Sequence, residues 1–297
     1  MQATNYFRQL TKETERNLEI VERLDSKNLV DSAIEVYLKA LNLNKVLITG
    51  YKDAEKFILP EFGLIMNDSL KGLENFEAEL RLPYEKLVIE FSDPTAKTIL
   101  FCQEIRKGGQ DNSIAIISLV KGKHDTGFCL SRAACFLDTT VYEYESSNES
   151  SGPKVRIKPF DPIDMTLLTK ESKLVESEVE YSDMLLDIKQ FLVLPVLELI
   201  EALSCKNVTS EYLPHKHSAA KHAALGFDEY RVLTITVAGC RSIGNAKHTG
   251  GHASPREHLR RGHIRRHPTA GNIWINSMVV NAGVGGVIRK TYKMEPA

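Results

Sequence analysis

The sequence lacks long apolar runs and paired cysteines. Among its 297 residues, the longest wholly apolar run covers residues 191–197 and contains Pro195, whereas a membrane span needs roughly 20 residues. The five cysteines are scattered without a CxxC pair, which favours a reducing, intracellular setting over a disulfide framework. The first residues have no apolar core behind a basic start, so we expect no secretory signal. These absences exclude the membrane and secreted classes and predict a cytoplasmic protein.

Glycine-rich phosphate-binding motifs are also missing, because neither GxxxxGK[ST] nor GxGxxG occurs. Positive charge, in contrast, is abundant in one region. Residues 241–293 contain ten Lys or Arg but one acidic residue, Glu257, so this stretch carries +9 and the remainder −10, which gives the net charge of −1. The sequence therefore combines an acidic body with a basic C-terminal region, which indicates an anionic partner or an interaction with the protein's own acidic face.

The periodicity of apolar residues predicts an α+β fold. Residues 5–24 and 29–43 have helical spacing, and residues 182–203 form a strongly apolar helix that Pro195 should kink. Short β-rich runs separated by turn residues predict a mainly antiparallel sheet backed by that long apolar helix. The predicted strands are residues 86–91, 96–105, 113–120, 128–145, 155–160 and 230–237. The predicted domains are an N-terminal helical segment at 1–45, an α+β core at 46–238 and a basic His/Arg-rich β-region at 239–297.

The basic β-region is predicted to contain strands at 258–266, 273–280 and 287–293, after a loop at 239–255. In one continuous strand, alternation would place Arg261, His263 and Arg265 on the same face. Guanidinium groups bind phosphate bidentately, and the single tryptophan, Trp274, could offer a stacking face for a base. The predicted binding residues are Arg256, His258, Arg260, Arg261, His263, Arg265 and Trp274. The alternative is that these arginines pair with the acidic body or solvate an edge strand.

Three catalytic or metal-binding alternatives use residues of the same kinds. Two of His252, His258 and His263 could serve as acid and base of a metal-independent ribonuclease, with an arginine stabilising the transition state. A zinc site could use Cys240 and His248 with these histidines, but the spacings match no standard zinc pattern.

A magnesium nuclease site could use carboxylates on the early strands, because neighbouring strands can present acidic side chains to one ion. The candidates are Glu90, Asp93 and Glu104, with Arg106 or Lys107 nearby. Strand-edge carboxylates are usually only solvated, and we predict no cofactor.

The C-terminal residues resemble those of a protein family. The run SPR at 254–256, His258, RRGH at 260–263 and Arg265, followed by IWIN at 273–276 and Lys290-x-Tyr292, looks like the C-terminal signature of an uncharacterised family of tailed-bacteriophage proteins. Upstream pieces agree: LP at 82–83, VIEF at 88–91, LSCKNV at 203–208 and YRVL at 230–233. The similarity spans residues 82–293, and it implies a phage gene product that acts inside a bacterial cell, with no established activity.

Together, these observations predict a non-enzymatic phage accessory protein that binds nucleic acid, or a host nucleic-acid enzyme, through the basic β-region. One alternative is an inhibitor that binds a host anti-phage defence complex stoichiometrically, with the −10 body mimicking a nucleic acid. The other is the metal-independent ribonuclease. We expect no membrane partner, and a homo-oligomer is compatible with the sequence.

Overall fold

A computed structural model describes most of the chain. The described residues are 4–25, 32–65, 81–106, 112–131, 134–138, 156–169, 177–213, 228–235, 258–260, 263–267, 271–275 and 278–280. The fold is α+β, with helices and a mostly antiparallel sheet. The chain divides into two compact units: the large unit (Met1–Leu203 and Ser210–Leu233) and the small unit (Ser204–Thr209 and Thr234–Ala297).

The helices of the large unit lie at both ends of its sequence. They are α1 (Tyr6–Asp25), α2 (Ser32–Gly50), α3 (Glu178–Asp187) and α4 (Leu194–Ser204), and a π-helical turn, Ile188–Val193, joins α3 to α4. Ser177 caps α3, because its hydroxyl accepts a hydrogen bond from the backbone N–H of Glu180. Pro195 explains the wider turn before it, since proline has no N–H to donate and its ring crowds the carbonyl of Phe191. None of the described helices is long and apolar enough to cross a membrane.

Nine strands among the described residues form one sheet in the order β7-β6-β4-β3-β2-β1-β9-β8, with β5 paired to β4. They are β1 (Glu55–Ile58), β2 (Lys86–Ser92), β3 (Ala96–Arg106), β4 (Asn112–Gly122), β5 (Cys129–Leu130), β6 (Ala134–Asp138), β7 (Arg156–Phe160), β8 (Val208–Tyr212) and β9 (Arg231–Ile235). The pairs from β2 to β7 are antiparallel. Among the described residues, the parallel pairs are those that β1 forms with β2 and with β9.

Helices cover both faces of this sheet. On one face, Ile89 and Phe91 of β2 pack with Val196 of α4. On the other face, Val88 packs with Phe7 of α1. Because β2 packs on both faces, the five positions from Leu87 to Phe91 are all buried instead of alternating. The helices α1 and α2 belong to the large unit, and the domain boundary predicted from the sequence after residue 45 stays a prediction.

The small unit contains four short strands: β10 (His258–Arg260), β11 (His263–His267), β12 (Gly271–Ile275) and β13 (Met278–Val280). They form two antiparallel ladders, β10 with β13 and β11 with β12. The predicted loop at 239–255 and the predicted strand at 287–293 lie outside the described residues.

Candidate functional site

The basic β-region forms two ladders in place of the single long strand predicted at 258–266. His258 pairs with Val280 in the first ladder, and His263 pairs with Ile275 in the second. Both ladders have the same register, because His263 follows His258 by five residues and Ile275 precedes Val280 by five residues. Of the predicted binding residues, Arg260 lies on β10.

Cross-strand pairs define the two faces of the β11–β12 hairpin. Ile264 lies opposite Trp274, and Arg265 lies opposite Ile273. Side chains of directly opposed residues share a face, and successive residues alternate between faces. Trp274 is only 8% exposed, and Arg265 on the other face is exposed to solvent. The hairpin therefore buries Trp274 and half-buries Ile264 on one face, and it presents Arg265 to solvent on the other.

Trp274 contributes to the structure of the small unit. Its backbone N–H donates to the side-chain oxygen of Asn207 over 2.7 Å, and its carbonyl accepts from the Asn207 amide over 2.8 Å. With these two bonds, one side chain satisfies both the backbone N–H and the backbone C=O of Trp274. Because the tryptophan is buried, a base could not stack on its ring without a rearrangement.

The segment 204–209 attaches to β12 at further points. The backbone N–H of Lys206 donates to the carbonyl of Asn272 over 3.0 Å. The side-chain amide of Asn272 donates to the hydroxyl of Ser204 over 3.1 Å. These contacts fix the segment beside the basic hairpin, although more than 60 residues separate them in the sequence.

Lys206 is the functional candidate that sequence reasoning missed. It is exposed, and its Cε would lie 3.2 Å from a Cβ added at Gly271, where φ is +76°. Glycine is suited to this position, because it tolerates positive φ and leaves room for the lysine stem. The one signal for Lys206 in the sequence was its place in the 203–208 run that resembles the phage family.

The Lys, Arg, Asp and Glu residues in the described part of the small unit are all basic. They are Lys206, Arg260, Arg265 and Arg266, and no Asp or Glu is among the described residues of this unit. Neither Lys206 nor Arg265 forms an ion pair with any residue that the structure describes. The alternative in which the basic residues are paired with the acidic body therefore has no support at these two positions.

The remaining predicted residues fall in several places. His258 lies on β10 and His263 on β11. Arg256 and Arg261 lie outside the described residues, as do the zinc candidates Cys240, His248 and His252. Within the described ranges, no group of three or more His, Cys, Asp or Glu residues could hold a metal ion.

The carboxylates suggested for magnesium are separated by the sheet. Glu90 pairs with Ile99 of β3, and Glu104 lies five residues further along the same strand, about 17 Å away. Because five is an odd number, the two side chains also point to opposite faces. Arg81 lies 3.8 Å from a Glu104 oxygen, and Asp93 caps a turn by accepting from Thr95. The magnesium hypothesis is therefore wrong for this set.

Glu90 has a structural role instead. The side chain is fully buried and accepts the backbone N–H groups of Tyr6 (3.0 Å) and Phe7 (2.7 Å) at the start of α1. It also accepts the hydroxyls of Thr4 and of Tyr230, the latter over 2.8 Å. A carboxylate at a helix N-terminus satisfies donors that have no partner within the helix. Burial raises the pKa of Glu90, and the four hydrogen bonds oppose that rise.

Comparison of the chain with protein-family models, curated protein sequences and solved structures found no match.

Proposed function

We propose that this protein is a phage-encoded accessory protein that binds nucleic acid, without cleaving it, through the small unit. The proposed contact surface, called the basic face below, consists of Lys206 and Arg265. One observation carries the proposal: Lys206 and Arg265 are exposed and have no carboxylate partner among the described residues. The described part of the small unit contains no acidic side chain that could pair with them. The resemblance of the RRGH run to a tailed-bacteriophage family supports the phage context.

The charges of the basic face match the chemistry of a phosphate backbone. Each phosphate that a Lys or Arg neutralises releases condensed counterions, and this release drives sequence-independent binding. Arginine adds a planar fork of donors that fits phosphate oxygens, and lysine adds a point charge. An exposed cation that already had a carboxylate partner would have to give up that partner first. Lys206 and Arg265 have no such competitor among the described residues.

The local structure supports binding by a preformed surface. Asn207 and Trp274 bind each other by two hydrogen bonds, and Lys206 donates to β12 through its backbone. The backbone positions of Lys206 and of the hairpin are thereby coupled. Less conformational entropy is lost on binding when the contact residues already hold their places.

The first experiment measures fluorescence anisotropy of labelled single- and double-stranded DNA and RNA with the full-length protein over a salt series. We expect binding whose logarithmic constant falls linearly with the logarithm of salt concentration. The double variant Lys206→Glu/Arg265→Glu should bind more weakly to every probe, with a salt slope smaller in magnitude by about 2.

The matched control is Lys39→Glu/Lys45→Glu, which makes the same change in charge at two exposed lysines of α2 in the large unit. The control should retain its affinity to within about threefold, because a charge change away from the contact alters only the long-range field. Equal weakening by both double variants would contradict the basic face. Absence of binding at low salt would contradict the proposal and favour a protein partner. A cleaved probe after incubation with EDTA would favour the metal-independent ribonuclease.

A further inference from the structure

The large unit contains a cavity that the basic face does not involve. Its volume is about 980 Å³, which is in the range of pockets for small organic ligands. The cavity is bounded by α2, the residues around β5, and α3 with the π-helical turn. Leu41, Phe128, Met184 and Leu192 give it an apolar interior.

Two buried polar atoms in the cavity wall have no hydrogen-bond partner in the part of the chain that the structure describes. Asn44 and Ser118 are 3% and 1% exposed, and both line the cavity. Neither the side-chain oxygen of Asn44 nor the hydroxyl of Ser118 has a partner among the described residues. Buried polar groups in native proteins are nearly always satisfied, so two of them in one cavity indicate a ligand with hydrogen-bonding groups. The Asn44 oxygen requires a donor, and the Ser118 hydroxyl can donate or accept.

The described residues that line the cavity carry only negative charge. They include five carboxylates and no Lys, Arg or His: Asp93, Asp161, Glu180, Asp183 and Asp187. Asp183 and Asp187 on α3 are exposed to solvent. Burial acts to raise the pKa of Asp93, but its hydrogen bonds from Thr95 and Ala96 outweigh this effect and lower the pKa. A ligand that enters between these carboxylates would be favoured if it carried positive charge.

We propose that the large unit binds a small amphipathic organic cation in this cavity. The apolar body of the ligand lies against Leu41, Met184 and Leu192, an N–H or O–H group donates to the Asn44 oxygen, and the charged amine lies near Asp183 and Asp187. This inference is independent of nucleic-acid binding by the small unit.

The experiment uses the full-length protein and the neutral fluorescent probe N-phenyl-1-naphthylamine, which brightens in apolar sites. Decylamine, decanol and decanoate, which share one chain length, then compete for the site. We expect decylamine to displace the probe best and decanoate to be about tenfold weaker or worse, because decanoate meets only like charges. Bound decylamine should also slow alkylation of Cys129, an exposed thiol in the cavity wall, as followed by peptide mass spectrometry.

Variants distinguish binding in the cavity from non-specific binding elsewhere on the protein. Ala40→Trp fills the cavity from α2 and should abolish probe binding, whereas Val46→Trp, on an exposed position of α2 outside the cavity, should not. Asp183→Asn/Asp187→Asn should remove most of the preference for decylamine over decanol, and Glu22→Gln/Asp53→Asn, at exposed positions elsewhere, should keep it. Asn44→Leu should raise the melting temperature of the free protein, because it removes a buried oxygen that has no partner among the described residues.

Several results would overturn the proposal. One is an absence of probe and decylamine binding, and another is equal binding to the Ala40→Trp variant. Displacement by decanoate as strong as by decylamine would contradict the cationic ligand. Binding of a basic amphipathic peptide without binding of decylamine would assign the surface to a protein partner instead.

Discussion

In the large unit several buried and half-buried cations lie against carboxylates, whereas in the small unit no described acidic side chain is present to pair with the exposed cations. Lys56 lies 3.3 Å from Asp228, and Arg231 lies 2.6 Å from Glu55. Lys206 has no such partner among the described residues. Charge thus contributes to packing in one unit and, in our proposal, binds a partner in the other. Perturbing matched residues in the two units should therefore change different properties.

The largest expected effect is on the buried carboxylate of the large unit. Glu90→Gln should lower the free energy of unfolding by about 3 kcal/mol, because the amide N–H₂ cannot accept the donors that one carboxylate oxygen now accepts. Urea denaturation followed by circular dichroism measures this loss. A loss below about 0.5 kcal/mol would show that the hydrogen bonds to α1 contribute little to stability.

The same variant has a defined pH dependence. Because burial raises the pKa of Glu90 in the folded state, the folded state binds the proton more tightly than the unfolded state does. This contribution to stability is fully present below the unfolded pKa and is lost as the pH rises through the folded pKa. The stability difference between the wild type and Glu90→Gln should therefore be largest at acidic pH and shrink towards neutral pH. A difference that grew with pH would contradict a raised pKa.

A pair of lysine variants tests the comparison directly. Lys56→Met should cost about 2 kcal/mol, because it leaves Asp228 without its cation and removes hydrogen bonds to the carbonyls of Lys52 and Ala54. Lys206→Met should change stability by less than about 0.5 kcal/mol but should weaken nucleic-acid binding. Thermal melts measure the stability of both variants, and anisotropy measures their nucleic-acid binding. A stability loss of similar size in both variants would contradict the difference between the two units.

A smaller effect is expected at the glycine under Lys206. Gly271→Ala places a Cβ at a positive φ and 3.2 Å from the lysine Cε. The strain should cost about 1 kcal/mol and displace the Lys206 side chain. Nucleic-acid binding should weaken slightly as a result. If affinity stayed at the wild-type value while stability fell, the position of Lys206 would not matter for binding.

The smallest effect is expected at a buried hydroxyl of the large unit, that of Ser118. Ser118→Ala removes a buried hydroxyl that has no partner among the described residues. Stability should stay unchanged or rise by up to about 1 kcal/mol, because no hydrogen bond is lost and an unsatisfied group disappears. Calorimetric melting measures the change. A loss above about 1 kcal/mol would show that the hydroxyl contributes to the structure of the free protein.

Sequence patterns predicted the elements with strong local signals. The α1 prediction, residues 5–24, differs by one residue at each end from the observed helix, and β3 was predicted at 96–105 and observed at Ala96–Arg106. The strands β1 and β8 were missed. Each has only four or five residues, and β1 takes its place through parallel pairing with a distant strand. Such long-range pairing leaves no periodic signal in a short segment.

The candidate site was predicted only in part, for a similar reason. Arg265 was found, because the basic run at 254–267 is dense and local. Lys206 was missed, since its proximity to β12 depends on backbone and side-chain bonds to Asn272 and Trp274. The buried state of Trp274 was also missed, because a lone tryptophan fits a stacking platform and a core equally well in sequence.

The most direct test of the basic face is a lysine footprint on the full-length protein. Exposed lysines are acetylated briefly with and without a saturating DNA duplex at low salt, and each site is quantified by peptide mass spectrometry. The account predicts that bound DNA protects Lys206 while Lys39 and Lys45 of the large unit react at their original rates. Protection of Lys39 and Lys45 with no protection of Lys206 would contradict it.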